Sequence, residues 1–201
     1  GLDSVTVLDS VKLDQQGNFA LKGKRPECPD FYRLRLGHSV IHFSVESTET
    51  ITIKADAHNF TKGYTINGSE SCQKIKELTL KQIKLQESIN ALENKVKNGS
   101  IDETSANTLA DTLIAKYKKD IMMNYIFKGP NKPYAYFALF QSINGNLIFN
   151  SNDKKDIKCF QAVATSLNTF YPKSLRSKNL YNITIKGLQN TYTGKRKVIN
   201  I

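Results

Sequence analysis

Val5, Val7, Val11 and Leu13 alternate with Thr6, Ser10 and Lys12, a period of two broken on its apolar side by Asp9. Such alternation predicts a strand with one face turned to a core. Residues 14–18, Asp-Gln-Gln-Gly-Asn, supply a turn in which Gly17 is free to take positive φ, and Phe19 and Leu21 resume the alternation, so residues 5–21 predict a β-hairpin. In "FYRLRLG" (31–37) Tyr32, Leu34 and Leu36 fall on one face and Phe31, Arg33 and Arg35 on the other. Residues 39–45 and 50–56, joined by Glu46 to Glu49, predict a second hairpin with Ile41, Phe43, Val45, Ile51 and Ile53 facing inward, and residues 63–69 a last short strand. Six strands with polar turns and no helix between them predict an antiparallel β-sheet or small β-sandwich.

At Gly68 the period changes. Ile75, Leu78, Leu85, Ile89, Leu92 and Val96 recur at intervals of three, four or seven, with Gln82 in the missing heptad place, the signature of one long amphipathic helix. Asn98 and Gly99 stop it in the left-handed manner. Ser100 and Glu103 stand three apart as a capping box, and Leu109, Leu113, Tyr117, Ile121 and Tyr125 mark a second long helix that ends at Lys128-Gly129-Pro130. So short a link predicts a long antiparallel helical hairpin, with Ile89 and Leu92 facing the second helix. Pro133 opens a further helix that is apolar nearly all round. Residues 153–172 predict another, with Ile157, Phe160, Val163, Ala164, Leu167 and Phe170 on one side, and Ser174 caps a last helix through Leu188. The fold class is α+β: a β-sheet domain over 1–68, an α-helical region over 69–192, and a basic linker over 193–201 leading to a C-terminal domain.

Charge sharpens that division. The formal net charge is +11, yet residues 1–68 are balanced and the whole excess lies in the helical part. Its lysines are spread over several helix faces beside acids, as in "KKD" and "NKVKN", so they read as solvated faces and no nucleic-acid partner is expected. The longest strongly apolar run, Tyr134 to Phe140, is far shorter than the roughly 20 residues a membrane helix needs. The chain therefore reads as soluble, with any targeting peptide or lipid anchor outside it.

Candidate chemistry is sparse. Cys28, Cys72 and Cys159 are widely separated and odd in number, which predicts neither a disulfide framework nor a zinc site. The one exception to their inertness is Cys72, since a helix N-terminus favours thiolate. His38, His42 and His58 stand in no recognisable pair with Cys, Asp or Glu, and no phosphate-binding, dinucleotide or hydrolase motif occurs. Acid pairs such as Asp102 with Glu103 fall at helix starts, where the macrodipole explains them. No catalytic residue, cofactor or metal is expected.

The stretches "VLDSVKLDQQGNFALKG", "FYRLRLG", "FSVESTETITIKAD" and "YTINGS", in that order, resemble the domain of unknown function that precedes a thioredoxin-like domain in envelope lipoproteins of Gram-negative gut anaerobes. "NKPYAYFALFQ" and "FYPKSLRSKNLYN" resemble the helical insert those proteins place before the thioredoxin fold. The resemblance implies a periplasmic or cell-envelope location and a covalently following thioredoxin-like domain as partner. Family members begin with one or two further strands, and their C-x-x-C motif has no counterpart here, so no redox residue carries over.

The expected function is a non-catalytic accessory or partner-binding region of a periplasmic thioredoxin-like protein, not an enzyme. The rival is a stand-alone glycan- or peptide-binding module that uses the sheet face of Arg33, Arg35 and His42. Missing leading strands would leave a sheet edge open, which predicts a weak homodimer through strand addition.

Overall fold

The computed structural model describes residues 5–193; the expected linker over 193–201 lies almost wholly outside them. About 50% of the chain is helical, with small antiparallel sheets preceding the helices. Strands β1 (Asp30–Leu36) and β2 (Ser39–Val45) form one two-stranded antiparallel sheet, and β3 (Thr52–Ala55) and β4 (Tyr64–Asn67) a second. Helices α1 (Glu70–Lys97) and α2 (Glu103–Ile121) follow, and a π-helical turn, Met122–Ile126, extends α2. Then come α3 (Pro133–Leu139), a small hairpin of β5 (Ser142–Ile143) and β6 (Asn146–Leu147), α4 (Ile157–Phe170) and α5 (Leu175–Thr193).

The strand region departs from expectation in two ways. Residues 5–21 carry no strand: the turn forms, with Asp14 N–H donating to the Asn18 carbonyl and Gly17 N–H to the Asp14 carbonyl, both at 3.0 Å, but no ladder extends from it. An isolated two-stranded ribbon is marginal in water, and neither a third strand nor a helix covers this one. Val7, Val11, Leu13, Phe19 and Leu21 are all exposed. There is consequently no six-stranded sheet and no sandwich among the described residues.

The second difference is pairing. Residues 39–45 pair with 30–36 and not with 50–56. Gly37 and His38 form a two-residue loop with Gly37 at φ +58°, the arrangement of a type II′ turn, whose twist matches that of the strands it joins. The four-residue link at Glu46 is used otherwise: Glu46 N–H donates to Glu49 Oε2 at 2.7 Å and the chain turns away. Gly68, at φ +97°, passes so near the Thr50 carbonyl that a Cβ would lie 2.0 Å from it, which fixes glycine where strand gives way to helix.

Two apolar clusters hold the molecule. The smaller gathers Ile41, Phe60, Tyr64, Ile66 and Cys72 between the two strand pairs and the start of α1. The larger lies among the helices, where Ile75, Leu78, Leu85 and Ile89 of α1 meet Tyr117, Ile121 and Tyr125, with Leu139 of α3 and Phe160 and Val163 of α4. Gln82 interrupts the α1 stripe for a reason: its Nε2 donates to the Ser142 carbonyl at 2.7 Å. Lys81 pairs with Asp120 of α2 at 2.7 Å.

Three local details correct the sequence reading. Asp102, not Ser100, caps α2, accepting from Ser105 N–H at 2.9 Å, while Ser100 bonds to Asn98. Leu109 and Phe170 are exposed although both stand on predicted apolar stripes. Leu92 is half-buried where Ile89 is buried.

Candidate functional site

One face of the β1–β2 sheet carries two exposed arginines, Arg33 and Arg35. Period two puts Phe31, Arg33 and Arg35 on one side of β1, and the register sets Arg33 opposite His42 and Arg35 opposite Val40. The other side, with Leu34, Ile41 and Phe43, packs on the smaller cluster. Arg33 and Arg35 are exposed, and no carboxylate pairs with either among the described residues.

His42 shares the face but not the exposure expected of it. Its ring is half-buried, with its centroid 5.8 Å from that of Phe137 in α3. Burial, aided by the neighbouring Arg33 charge, lowers its pKa below the ordinary 6.5, so the imidazole is neutral at pH 7.

At the other end of β1, Phe31 meets Tyr136 at 5.6 Å and Phe137 at 6.3 Å between ring centroids. The Arg176 guanidinium lies over the Phe31 ring at 4.8 Å and bonds Asp30 Oδ1 at 2.6 Å, a cation–π stack locked by an ion pair. The recess beneath it holds about 20 Å³ and is lined mainly by apolar groups such as Pro29, Pro133 and Leu167, room for one water molecule and no more. Phe137 and Arg176 were not among the candidates from sequence. Both lie more than ninety positions beyond the sheet, in the helical part, and no short-range spacing signals them.

A second polar group joins the strands to the helices. Glu46, at the end of β2, accepts a hydrogen bond from the buried Ser71 hydroxyl and pairs with Lys132 Nζ at 3.4 Å. Burial disfavours the Lys132 ammonium, but the Glu46 carboxylate outweighs it and keeps the pKa above the ordinary value. Ser71 has a carboxylate as its partner and no imidazole, so the arrangement is that of a clamp.

The cysteines are packing groups. Cys72 is fully buried and its thiol donates to the Ser44 carbonyl at 3.0 Å. Burial pushes the thiol pKa up, which overrides the helix N-terminus expected to favour thiolate. Cys159 is pushed up to about 12, by burial first and the adjoining Asp156 second. Cys28 is half-buried, and all three are free thiols. Among the described residues no group of His, Cys, Asp and Glu is placed to hold a metal ion, and no helix is long and apolar enough to cross a membrane.

Residues 2–74 match a family model described as a domain of unknown function, DUF4369. The chain thus carries an N-terminal domain of unknown function. No curated protein and no solved structure matches the chain. The DUF4369 match takes in all four N-terminal strands and ends within the first turns of α1. It includes Arg33, Arg35, His42, Glu46 and Ser71, whereas Phe137, which meets His42, Lys132, which pairs with Glu46, and Arg176, which stacks on Phe31, lie beyond it.

Proposed function

We propose that the chain is the non-catalytic, partner-binding region of a periplasmic thioredoxin-like protein, with the covalently following thioredoxin-like domain as its first partner and any lipid anchor outside the stretch considered. The observation that supports this reading most is the open arm of residues 5–21. A turn bond joins Asp14 and Asn18, and Val5, Val7, Val11, Leu13, Phe19 and Leu21 on either side of it are all exposed. Contiguous exposed apolar surface of this kind marks a protein contact. The long antiparallel hairpin of α1 and α2 belongs to the same reading, as a stiff stem held to the strand region by the Glu46, Ser71 and Lys132 clamp.

Hydrogen exchange tests it. With the proposed thioredoxin-like domain joined to the chain, the amides of residues 5–21 are expected to gain protection relative to the 201-residue chain alone. Equal exchange rates in the two would overturn the proposal.

A second reading, a peptide- or glycan-binding sheet face, is favoured by a different observation: Arg33 and Arg35 share one face of β1, and among the described residues no carboxylate pairs with either.

A further inference from the structure

The register of the β1–β2 ladder fixes more than which side chains share a face. In a hairpin closed by two residues, the flanking pair exchanges both of its backbone hydrogen bonds, here Leu36 with Ser39. Hydrogen-bonded and non-hydrogen-bonded pairs then alternate along an antiparallel ladder. Leu34–Ile41, Tyr32–Phe43 and Asp30–Val45 are therefore the bonded pairs, and the N–H and C=O groups of Phe31, Arg33 and Arg35 point away from β2. Phe31 bears this out, since its N–H is taken by Asp30 Oδ1 at 2.8 Å.

The sheet has two strands, and no backbone hydrogen bond reaches β1 except from β2 among the described residues. Its Phe31 end is covered by Arg176. From Arg33 to Leu36 the edge stays open, and Arg33, Arg35 and Leu36 are exposed. The two residues that offer unpaired backbone groups are thus the two that carry unpaired guanidinium groups.

We infer that the outer edge of β1 is an acceptor site for an extended peptide carrying acid-x-acid, which adds as a third, antiparallel strand. The inference deepens the second reading above, that the sheet face binds a ligand, by naming the ligand. Residues of the incoming strand opposite Arg33 and Arg35 form bonded pairs with them, so their side chains fall on the same face as the two guanidinium groups, about 5.5 Å away between Cα atoms. Carboxylates at those two positions meet both charges. The residue between them turns to the opposite face, beside Leu34. Backbone bonds supply affinity without sequence, and the charged pairs set register and choice of partner. A polysaccharide satisfies the charges but not the row of backbone donors and acceptors, which is why a peptide fits better.

The test uses the whole chain and three synthetic probes, acetyl-TEVEVT-amide and two versions of it N-methylated either at both glutamates or at both valines, with acetyl-TKVKVT-amide as the charge control. Saturable binding of the acidic peptide is expected by NMR titration, lost on methylation at the glutamates, whose N–H groups face β1, and kept on methylation at the valines. Arg33→Glu with Arg35→Glu is expected to exchange the preference for the acidic peptide by a preference for the basic one, and a melting curve equal to that of the parent shows the variant folded. If both methylated peptides bind as well as the parent peptide, contact is by charge alone; strand addition is then overturned while the sheet-face reading stands. If the acidic peptide fails but an acidic hexasaccharide binds and shifts the Arg33 and Arg35 signals, the ligand is a glycan and the inference is again wrong. If nothing binds the chain but the peptide binds a Val11→Lys, Leu13→Lys variant, the occupant of the edge is the chain's own arm. If nothing binds either protein, the inference and the sheet-face reading fall together.

Discussion

The Tyr117 hydroxyl donates to Gln141 Oε1 at 2.6 Å, and both side chains are buried between α2 and the end of α3. A buried carboxamide that loses its partner bears its desolvation uncompensated. Tyr117→Phe is therefore expected to cost about 1–3 kcal/mol, while Tyr117→Phe combined with Gln141→Leu costs less than the sum of the two single changes. Urea denaturation of the four proteins of the cycle measures this. Additive losses would show that the bond contributes nothing.

Ile89 and Leu92 both belong to the α1 stripe, but only Ile89 is buried. Ile89→Ala is expected to destabilise by about 2–4 kcal/mol, since a buried aliphatic truncation leaves a cavity. Leu92→Ala should cost less than half as much. Equal shifts in the urea midpoint would mean that Leu92 packs as deeply as Ile89.

His42 gives stability a pH dependence. Its folded-state pKa lies below the ordinary 6.5, through burial first and Arg33 second, so the unfolded chain takes up the proton before the folded one does. The stability conferred by the neutral ring is fully present above about pH 6.5 and is lost as pH falls from there through the lower folded-state pKa. Thermal unfolding between pH 7.5 and 5 should show this slope, and His42→Gln should flatten it. The same slope in both proteins would assign it to other groups.

Thiol chemistry follows burial. Cys28 is expected to be alkylated by iodoacetamide well before Cys72 and Cys159, which are fully buried with raised pKa values. The chain should not accelerate insulin disulfide reduction. Mass spectrometry of a labelling time course reads the first, and turbidity above a buffer blank would contradict the second.

The open arm and the open edge of β1 both favour weak self-association. Light scattering over about a hundredfold range of concentration is expected to show mass rising above that of a monomer, and Leu13→Lys should suppress the rise. A constant monomer mass would mean that neither feature pairs with a second copy.

The pieces most legible in the sequence were those decided by neighbours along the chain. The α1 stripe, the left-handed stop at Gly99, with φ +73°, and Pro133 at the start of α3 follow from local sterics and period. So does the shared face of Arg33 and Arg35. The β5–β6 hairpin has a local signal as well, although the sequence reading passed over it. Asn144 and Gly145, at φ +48° and +78°, form the Asn-Gly turn that signals a two-residue hairpin. Asn144 Nδ2 then donates to Glu93 Oε1 at 2.9 Å, fastening the turn to α1.

What the sequence determined by itself, then, is the set of faces: which residues of each strand and helix lie together, since that depends only on the repeat of the backbone. Which faces become covered was decided by the tertiary structure. Residues 5–21 have the same alternation as a buried hairpin, yet remain exposed because no element packs over them. His42 shares the pattern of Arg33 and is nevertheless half-buried, because Phe137, ninety-five positions further along, closes over its ring. Residues 39–45 joined β1 through a two-residue turn at Gly37, which loses little chain entropy and matches the strand twist, whereas after Glu46, whose N–H bonds Glu49, the chain turns away and β3 pairs with β4. Burial depends on which distant surface arrives, and a one-dimensional pattern states only what each surface has to offer.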